Sequence, residues 1–122
     1  MEQFTEKWRA ENKNMIFTFV GEGESYTPLG HDAGVTSRKI HQGMPDIHTT
    51  VFPAHTGMEE EVHENLSHVF YVLAGEITVL QQGRVQGILK CGDAVYIPAG
   101  EFHEVRNELE GDSMFLAVTY PE

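Results

Sequence analysis

The sequence predicts an all-β fold, and two observations support this prediction. From residue 35 onward, short segments of strand length recur in which polar and apolar residues alternate. Turn residues, mostly glycine, separate these segments every roughly 8 to 12 residues, and no helical pattern lies between them. About nine short strands in this arrangement are typical of an antiparallel sandwich or barrel.

The first 34 residues do not follow this pattern, so we divide the chain into an N-terminal segment, 1–34, and a β-domain, 35–122. Helical spacing of Phe4 and Trp8 predicts a short helix over residues 2–14. The apolar stretch at 15–20 predicts a strand. Four glycines in residues 21–34 predict a loop that could cover the mouth of the barrel, with His31 as a solvated loop residue.

Within the β-domain, turn residues delimit the predicted strands. These cover 35–41, 47–53, a central strand or strand pair within 62–73, then 76–81, 84–89, 94–98, 102–107 and 113–120. We interpret His41 and His48 as strand residues that face solvent or pack sideways. The acidic run at 59–61 is interpreted as a solvated edge.

Composition restricts the class of partner. The 122 residues suffice for one domain with one core, and 8 basic against 19 acidic residues give a net charge of -11. This charge argues against a nucleic-acid partner or an anionic membrane, since both require a basic surface. A single cysteine, Cys91, fits a reducing compartment. The chain begins with no signal peptide and has no membrane-length apolar run, so we expect a cytoplasmic protein.

Candidate metal ligands cluster around the central strand. Glu61 and His63 are two residues apart, so both can project from one face of a strand. His68 lies on the face that carries Phe70, where a buried imidazole needs a polar partner. His103 lies on a later strand. Imidazole and carboxylate together suit manganese, iron, nickel or zinc, whereas calcium prefers oxygen ligands throughout.

The stretch from Gly92 to Asn107 resembles the second cupin motif, G-x5-P-x-G-x2-H-x3-N, at every specified position. The run V-F-Y-V-L-A-G-E, which ends at Glu76, resembles the close of the first cupin motif. The resemblance covers roughly residues 35–120. It implies a double-stranded β-helix, which is a jelly-roll-like barrel, with one divalent metal near its axis. His103 would be a ligand of this metal, and the protein would commonly form a homodimer.

The first motif departs from the usual G-x5-H-x-H-x3,4-E-x6-G pattern. Counting back from Gly75 gives Glu61, His63 and His68, so the carboxylate and one histidine have exchanged places. Counting forward from Gly57 gives His63 and Asn65 instead. We favour the first count, since a strand fixes register more firmly than a loop does. An E-x-H-x3-H arrangement is similar to the manganese site of ureidoglycine aminohydrolases, although here one more residue separates the histidines.

The resemblance leaves three functions open. A metal acting as a Lewis acid on a small carbonyl or carboxylate substrate would give a lyase, isomerase or hydrolase. Bound iron would instead give a dioxygenase, and a protein without turnover would be a small-ligand-binding module. The histidines favour a metal-dependent enzyme. We interpret Arg38 and Tyr96 as candidates to bind a substrate carboxylate, and Tyr71 and Arg106 as facing away from the site.

Overall fold

The computed structural model describes residues 14–19 and 21–122. Within those residues it contains ten β-strands and no helix, which confirms the all-β prediction. The helix predicted over 2–14, with Phe4 and Trp8, lies outside the described residues apart from Asn14, which lies in a bend. No helix in the described part is long and apolar enough to cross a membrane.

The strands have the following bounds: β1 Ser25–Tyr26, β2 Thr36–His41, β3 Asp46–Phe52, β4 Gly57–Glu61, β5 Leu66–Ala74, β6 Glu76–Gln81, β7 Arg84–Lys90, β8 Ala94–Ile97, β9 His103–Arg106 and β10 Ser113–Pro121. Most agree with the predicted segments to within one or two residues. The strand predicted at 15–20 is wrong for its described part, because residues 15–19 are irregular and their apolar side chains are largely exposed.

The strands form two antiparallel sheets rather than the closed barrel that we expected. A six-stranded sheet has the order β1-β2-β3-β10-β5-β8, and a four-stranded sheet has the order β4-β9-β6-β7. From β3 to β6 the chain alternates between the sheets. Within the described residues no strand ladder joins the two sheets, so this is the sandwich form of a jelly roll, which needs no closure.

The core lies between the two sheets. Its buried side chains come from inward-facing positions of both sheets and include Phe52, Phe70, Val72, Ile77, Val105 and Phe115. Phe115 packs against Phe52 and Phe70, with ring centroids 5.2 and 5.1 Å away. Phe70 and Phe115 of this cluster also line the cavity described below.

Two connections are fixed by close packing and by buried hydrogen bonds. Gly75, between β5 and β6, has φ +72°, and a Cβ at this position would lie 2.8 Å from the carbonyl oxygen of Asp112. Asn107, after β9, is fully buried, and its amide donates to the carbonyls of Phe52 (2.9 Å) and Gly111 (2.8 Å). The asparagine of the second motif therefore ties the end of β9 to the ends of two other strands.

Residues 21–34, which we call the strap, hydrogen-bond to the edge of β4. The amide of Glu59 donates to the carbonyl of Gly30 at 2.7 Å, and the Asp32 carboxylate accepts from the Gly57 amide at 3.0 Å. Arg106 on β9 also donates to this carboxylate, at 2.8 Å, and chiefly this bond lowers the pKa of Asp32. The strap also lines the cavity described below, through Leu29 and His31.

Candidate metal centre

Three histidines, one from each sheet and one from a connection between strands, converge in the structure. His68 lies on β5 of the six-stranded sheet, and His103 faces it from β9 of the four-stranded sheet. His63 lies in the connection between β4 and β5, not on a strand as its spacing had suggested. One ring nitrogen of each histidine lies within 4.8 Å of those of the other two, close enough to share one metal ion.

The Nδ1 atoms of the two buried histidines already have partners. Nδ1 of His103 donates to the carbonyl of Glu101 at 3.0 Å, and Nδ1 of His68 lies 2.8 Å from the Thr119 hydroxyl. Within the described part of the chain, Nε2 of both rings is buried without a hydrogen-bond partner. In metal-bound histidines, a hydrogen bond at the ring nitrogen that does not bind the metal fixes the tautomer and the direction of the ring. These two residues therefore fit a metal ion.

Glu61, the last residue of β4, adds a carboxylate to the three imidazoles. Its Oε1 lies 3.0 Å from Nε2 of His63 and 3.5 Å from Nε2 of His103. The second distance is too long for a strong hydrogen bond. Burial acts to raise the pKa of Glu61, but the contacts with His103 and His63 outweigh it and lower this pKa to about 2. The carboxylate is therefore ionised at neutral pH and suits a cation.

His68 remains neutral at neutral pH, as a metal ligand must. Burial, followed by the nearby imidazoles of His103 and His63, lowers the pKa of His68 to about 4. A neutral imidazole presents a lone pair at Nε2, so no proton has to leave before a metal binds there.

Asn65, the alternative from the forward count, does not join this cluster. It is exposed in the turn before β5, and its carbonyl accepts from the backbone amide of Glu122 at 3.1 Å. Glu61, His63 and His68 from the backward count lie close to one another and to His103 of the second motif. Arg38 and Tyr96 do not line the cavity at the site, and Tyr96 donates outside it to Glu122 at 2.8 Å.

A cavity of about 270 Å³ opens beside the histidines. Its apolar wall comes from both sheets and from the strap, and includes Leu29, Met58, Leu66, Phe70 and Phe115. His63, His68 and Glu61 lie at one side of it. Among the described residues that line this cavity, none is lysine or arginine. A bound metal would therefore be its main source of positive charge.

Sequence reasoning missed three polar residues of this cavity. His48 and Asp46 on β3 line it, although we interpreted His48 as facing solvent or packing sideways. His31, interpreted as a solvated loop residue, also lines it, and its Nδ1 lies 3.1 Å from the carbonyl of Leu29. The signal for His48 was its alternation with Thr50 and Phe52, which share its face and are buried.

Several solved structures share the fold. KdgF from Halomonas sp. has a TM-score of 0.74 at 20% identity, with 89% of this chain and 96% of that protein covered. A predicted oxalate decarboxylase from Thermotoga maritima has a TM-score of 0.72 at 21% identity, covering 82% and 92%. The polyketide cyclase RemF from Streptomyces resistomycificus has a TM-score of 0.72 at 23% identity, covering 88% and 79%.

A search of curated proteins found no significant match to the sequence. The family model of the cupin domain, Cupin_2, matches residues 48–119. This range is more than half of the chain and includes β5 and β9, which carry His68 and His103. The sequence motif, the two-sheet fold and this match agree, and the chain belongs to the cupin family.

Proposed function

We propose that this cupin holds one divalent transition metal (manganese, iron, nickel or zinc) and uses it as a Lewis acid on a small carbonyl compound. The ligands in this proposal are Glu61, His63, His68 and His103. The observation that carries it is the pair of buried Nε2 atoms, on His68 and His103, that have no hydrogen-bond partner within the described residues. Leaving such atoms unpaired is costly, and a metal ion would pair both at once.

The donor set also supports an open metal site. Three neutral imidazoles and one carboxylate suit a borderline divalent ion, and four protein ligands leave about two positions of an octahedron free. When bound, the ion would supply Lewis acidity that polarises a carbonyl oxygen. The protein's own contribution is to hold the donors at Glu61 and the histidines and to exclude water with the apolar wall around Phe70 and Phe115.

The cavity favours a substrate of low charge. Without a lysine or arginine among its described lining residues, a dianion would have a metal as its main electrostatic partner. Asp46 and Glu61 place negative charge at the same cavity. We therefore favour neutral or singly charged carbonyl compounds over dicarboxylates. A similar fold occurs in a protein described as a polyketide cyclase, so turnover is compatible with this architecture.

Metal content of matched variants tests the ligand set. We expect near-stoichiometric metal in the native protein expressed with all four metals supplied, and loss of metal in His68→Ala and His103→Ala. Glu61→Gln should weaken binding about 10- to 100-fold, because it removes the only anionic donor of the set. Asn65→Ala, which alters an exposed side chain next to the site, should retain full metal. Elemental analysis and circular dichroism together measure metal and folding.

Two outcomes would contradict the proposal. Metal-free native protein after metal supplementation would remove the metal site altogether. Rapid oxygen uptake by the iron form in the presence of β-diketones, thiols or catechols would replace Lewis-acid chemistry with dioxygenase chemistry.

A separate experiment tests for open positions on the metal. The visible absorption of cobalt-substituted protein should change when hydroxyacetone or pyruvate is added.

A further inference from the structure

Lys39, Asp46 and His48 form a chain of contacts that the metal centre does not use, and its last two members line the cavity. Nδ1 of His48 lies 3.1 Å from Oδ1 of Asp46, and Oδ2 of the same carboxylate forms an ion pair with Lys39. Burial acts to raise the pKa of Asp46, but the contacts with Lys39 and His48 outweigh it and keep the pKa below its ordinary value. Asp46 is therefore an anion that accepts hydrogen bonds from His48 on one side and from Lys39 on the other.

The register of the six-stranded sheet places Asp46 level with His68 of the histidine cluster, two strands away. Asp46 on β3 is level with Thr119 on β10, which is level with His68 on β5. Two strand spacings separate the backbones of Asp46 and His68, about 10 Å. Asp46, His48 and His68 line the same cavity. The gap between the pair and the metal centre therefore suits a molecule of a few carbon atoms.

An ordinary surface ion pair would not have this placement. The side chains of Asp46 and His48 are only 18% and 22% exposed, and they face the cavity rather than the outer surface of the sheet. The negative charge of Asp46 is already paired with Lys39, so a charged His48 is not needed to neutralise it. With Nδ1 directed at the carboxylate, the second nitrogen of His48 is the one left for a ligand.

We propose that His48 is the proton-transfer residue of this cupin and acts on the carbon next to a substrate carbonyl. This inference rests on the proposed function, which places the carbonyl at the metal centre. The C–H bond breaks, its electron pair forms the C=C bond of an enolate, and the carbonyl π pair moves onto oxygen. The proton is held at Nε2 of His48 and is then returned to a carbon atom. No oxidant or reductant is needed.

Asp46 acts in this proposal as a positioning residue. By accepting from Nδ1–H it selects the tautomer with a lone pair at Nε2, and its negative charge stabilises the imidazolium formed when the proton is taken. Lys39 holds the carboxylate from its other side. The arrangement makes the reaction class one of enolisation, such as isomerisation, epimerisation or elimination next to a carbonyl.

Exchange of carbon-bound hydrogen for deuterium tests the proposal. Native metal-loaded protein in D2O should exchange the hydrogens next to the carbonyl of hydroxyacetone or pyruvate above the buffer rate, followed by proton NMR. His48→Gln should slow this exchange by about 100-fold or more, the usual contribution of a positioned acid–base group. Its metal content should remain that of the native protein. His55→Gln, which alters an exposed histidine elsewhere, should leave the exchange rate unchanged.

A second measurement tests the role of Asp46 without turnover. Nitrogen-15 NMR of the metal-free protein should show the Nδ1-protonated tautomer of His48, and Asp46→Ala should shift it towards the Nε2-protonated tautomer. The same variant should slow exchange by about 10-fold, and Asp46→Asn, which keeps an acceptor, should restore the tautomer but not the full rate. An unchanged tautomer in Asp46→Ala would overturn the positioning role.

The outcomes separate this inference from the proposed function. Full metal content with no exchange of either probe would overturn the proton-transfer role and leave the metal centre standing. Loss of metal in His48→Gln would also overturn it, because His48 would then be a ligand. Native protein without metal would contradict the proposed function. If the metal-free native protein still exchanged hydrogen, and His48→Gln abolished that exchange, the proton-transfer role of His48 would be supported.

Discussion

In His68 and His103, a hydrogen bond at one ring nitrogen orients the other nitrogen as a candidate metal ligand. In each ring Nδ1 is held by a neighbouring oxygen, from Thr119 or from the backbone of Glu101, and Nε2 is left facing the cluster. His63 lacks such support and is more exposed. We therefore expect His63 to tolerate substitution better than the two buried histidines do.

At the residue scale, His68 also predicts how the stability of the metal-free protein depends on pH. Its pKa is 6.5 in a model peptide and about 4 in the folded chain, so the unfolded chain binds this proton more readily. The stability of the metal-free protein is not reduced by His68 above pH 6.5, and it falls as the pH drops from 6.5 towards 4. We expect the free energy of unfolding, from urea titration in chelator, to fall by about 2 kcal/mol between pH 7 and pH 5.

A matched pair of variants provides the control for this pH dependence. His68→Asn should flatten the dependence, whereas His55→Asn, at an exposed position, should preserve it. Equal pH dependence in native protein and His68→Asn would show that other groups cause it.

At the scale of strands, β4 shows where sequence patterns mislead. Glu59 and Glu60 are exposed, as a solvated edge predicts, yet Gly57 and Met58 are buried and β4 is the edge strand of the four-stranded sheet. Charged residues are a common protection for such an edge. The acidic run therefore concealed most of a strand, which holds Glu61 level with His103 of β9.

The turn at Gly75 yields a prediction at the same scale. Both Gly75 and Gly83 have positive φ, +72° and +77°, but only at Gly75 would a Cβ meet neighbouring atoms within 4 Å. Gly83→Ala should cost about 1–2 kcal/mol for backbone conformation alone. Gly75→Ala should cost clearly more, about 3 kcal/mol or above, because it also crowds Asp112. Urea midpoints measure both costs, and equal losses would contradict the crowding argument.

At the scale of the whole molecule, the ligands come from both sheets. His68 belongs to the six-stranded sheet, and Glu61 and His103 belong to the four-stranded sheet. A shared ion would therefore add a connection between two layers that meet through apolar packing and through hydrogen bonds such as that of Asn107 to Phe52. An ion at a free concentration 100 times its dissociation constant should stabilise the fold by about 2.7 kcal/mol.

Thermal unfolding tests this connection between the sheets. We expect manganese or zinc to raise the melting temperature of native protein by several degrees, and a chelator to reverse the rise. His103→Ala should show no rise. Calcium should have little effect, because it prefers oxygen ligands. A melting temperature that is independent of transition metals would place any bound metal outside this cluster.

The fold and most of the metal centre could be predicted because their signals are periodic or fixed in spacing. Alternation and turn glycines located β5 to β10, and the second motif located His103. The cavity was harder, because β3, β4 and the strap come together only through long-range pairing. His48 and Asp46 illustrate this, since alternation places them on the face of Thr50 and Phe52 but does not show that this face lines a cavity.

The two faces of strand β9 carry residues with different roles. His103 faces inward to the metal centre, while Arg106 faces outward and anchors Asp32 of the strap. Substitutions on the outer face can therefore move or loosen the strap, which lines the cavity through Leu29 and His31, without changing a donor atom. The size of the cavity can thus be altered by substitution without changing the residues proposed as metal ligands.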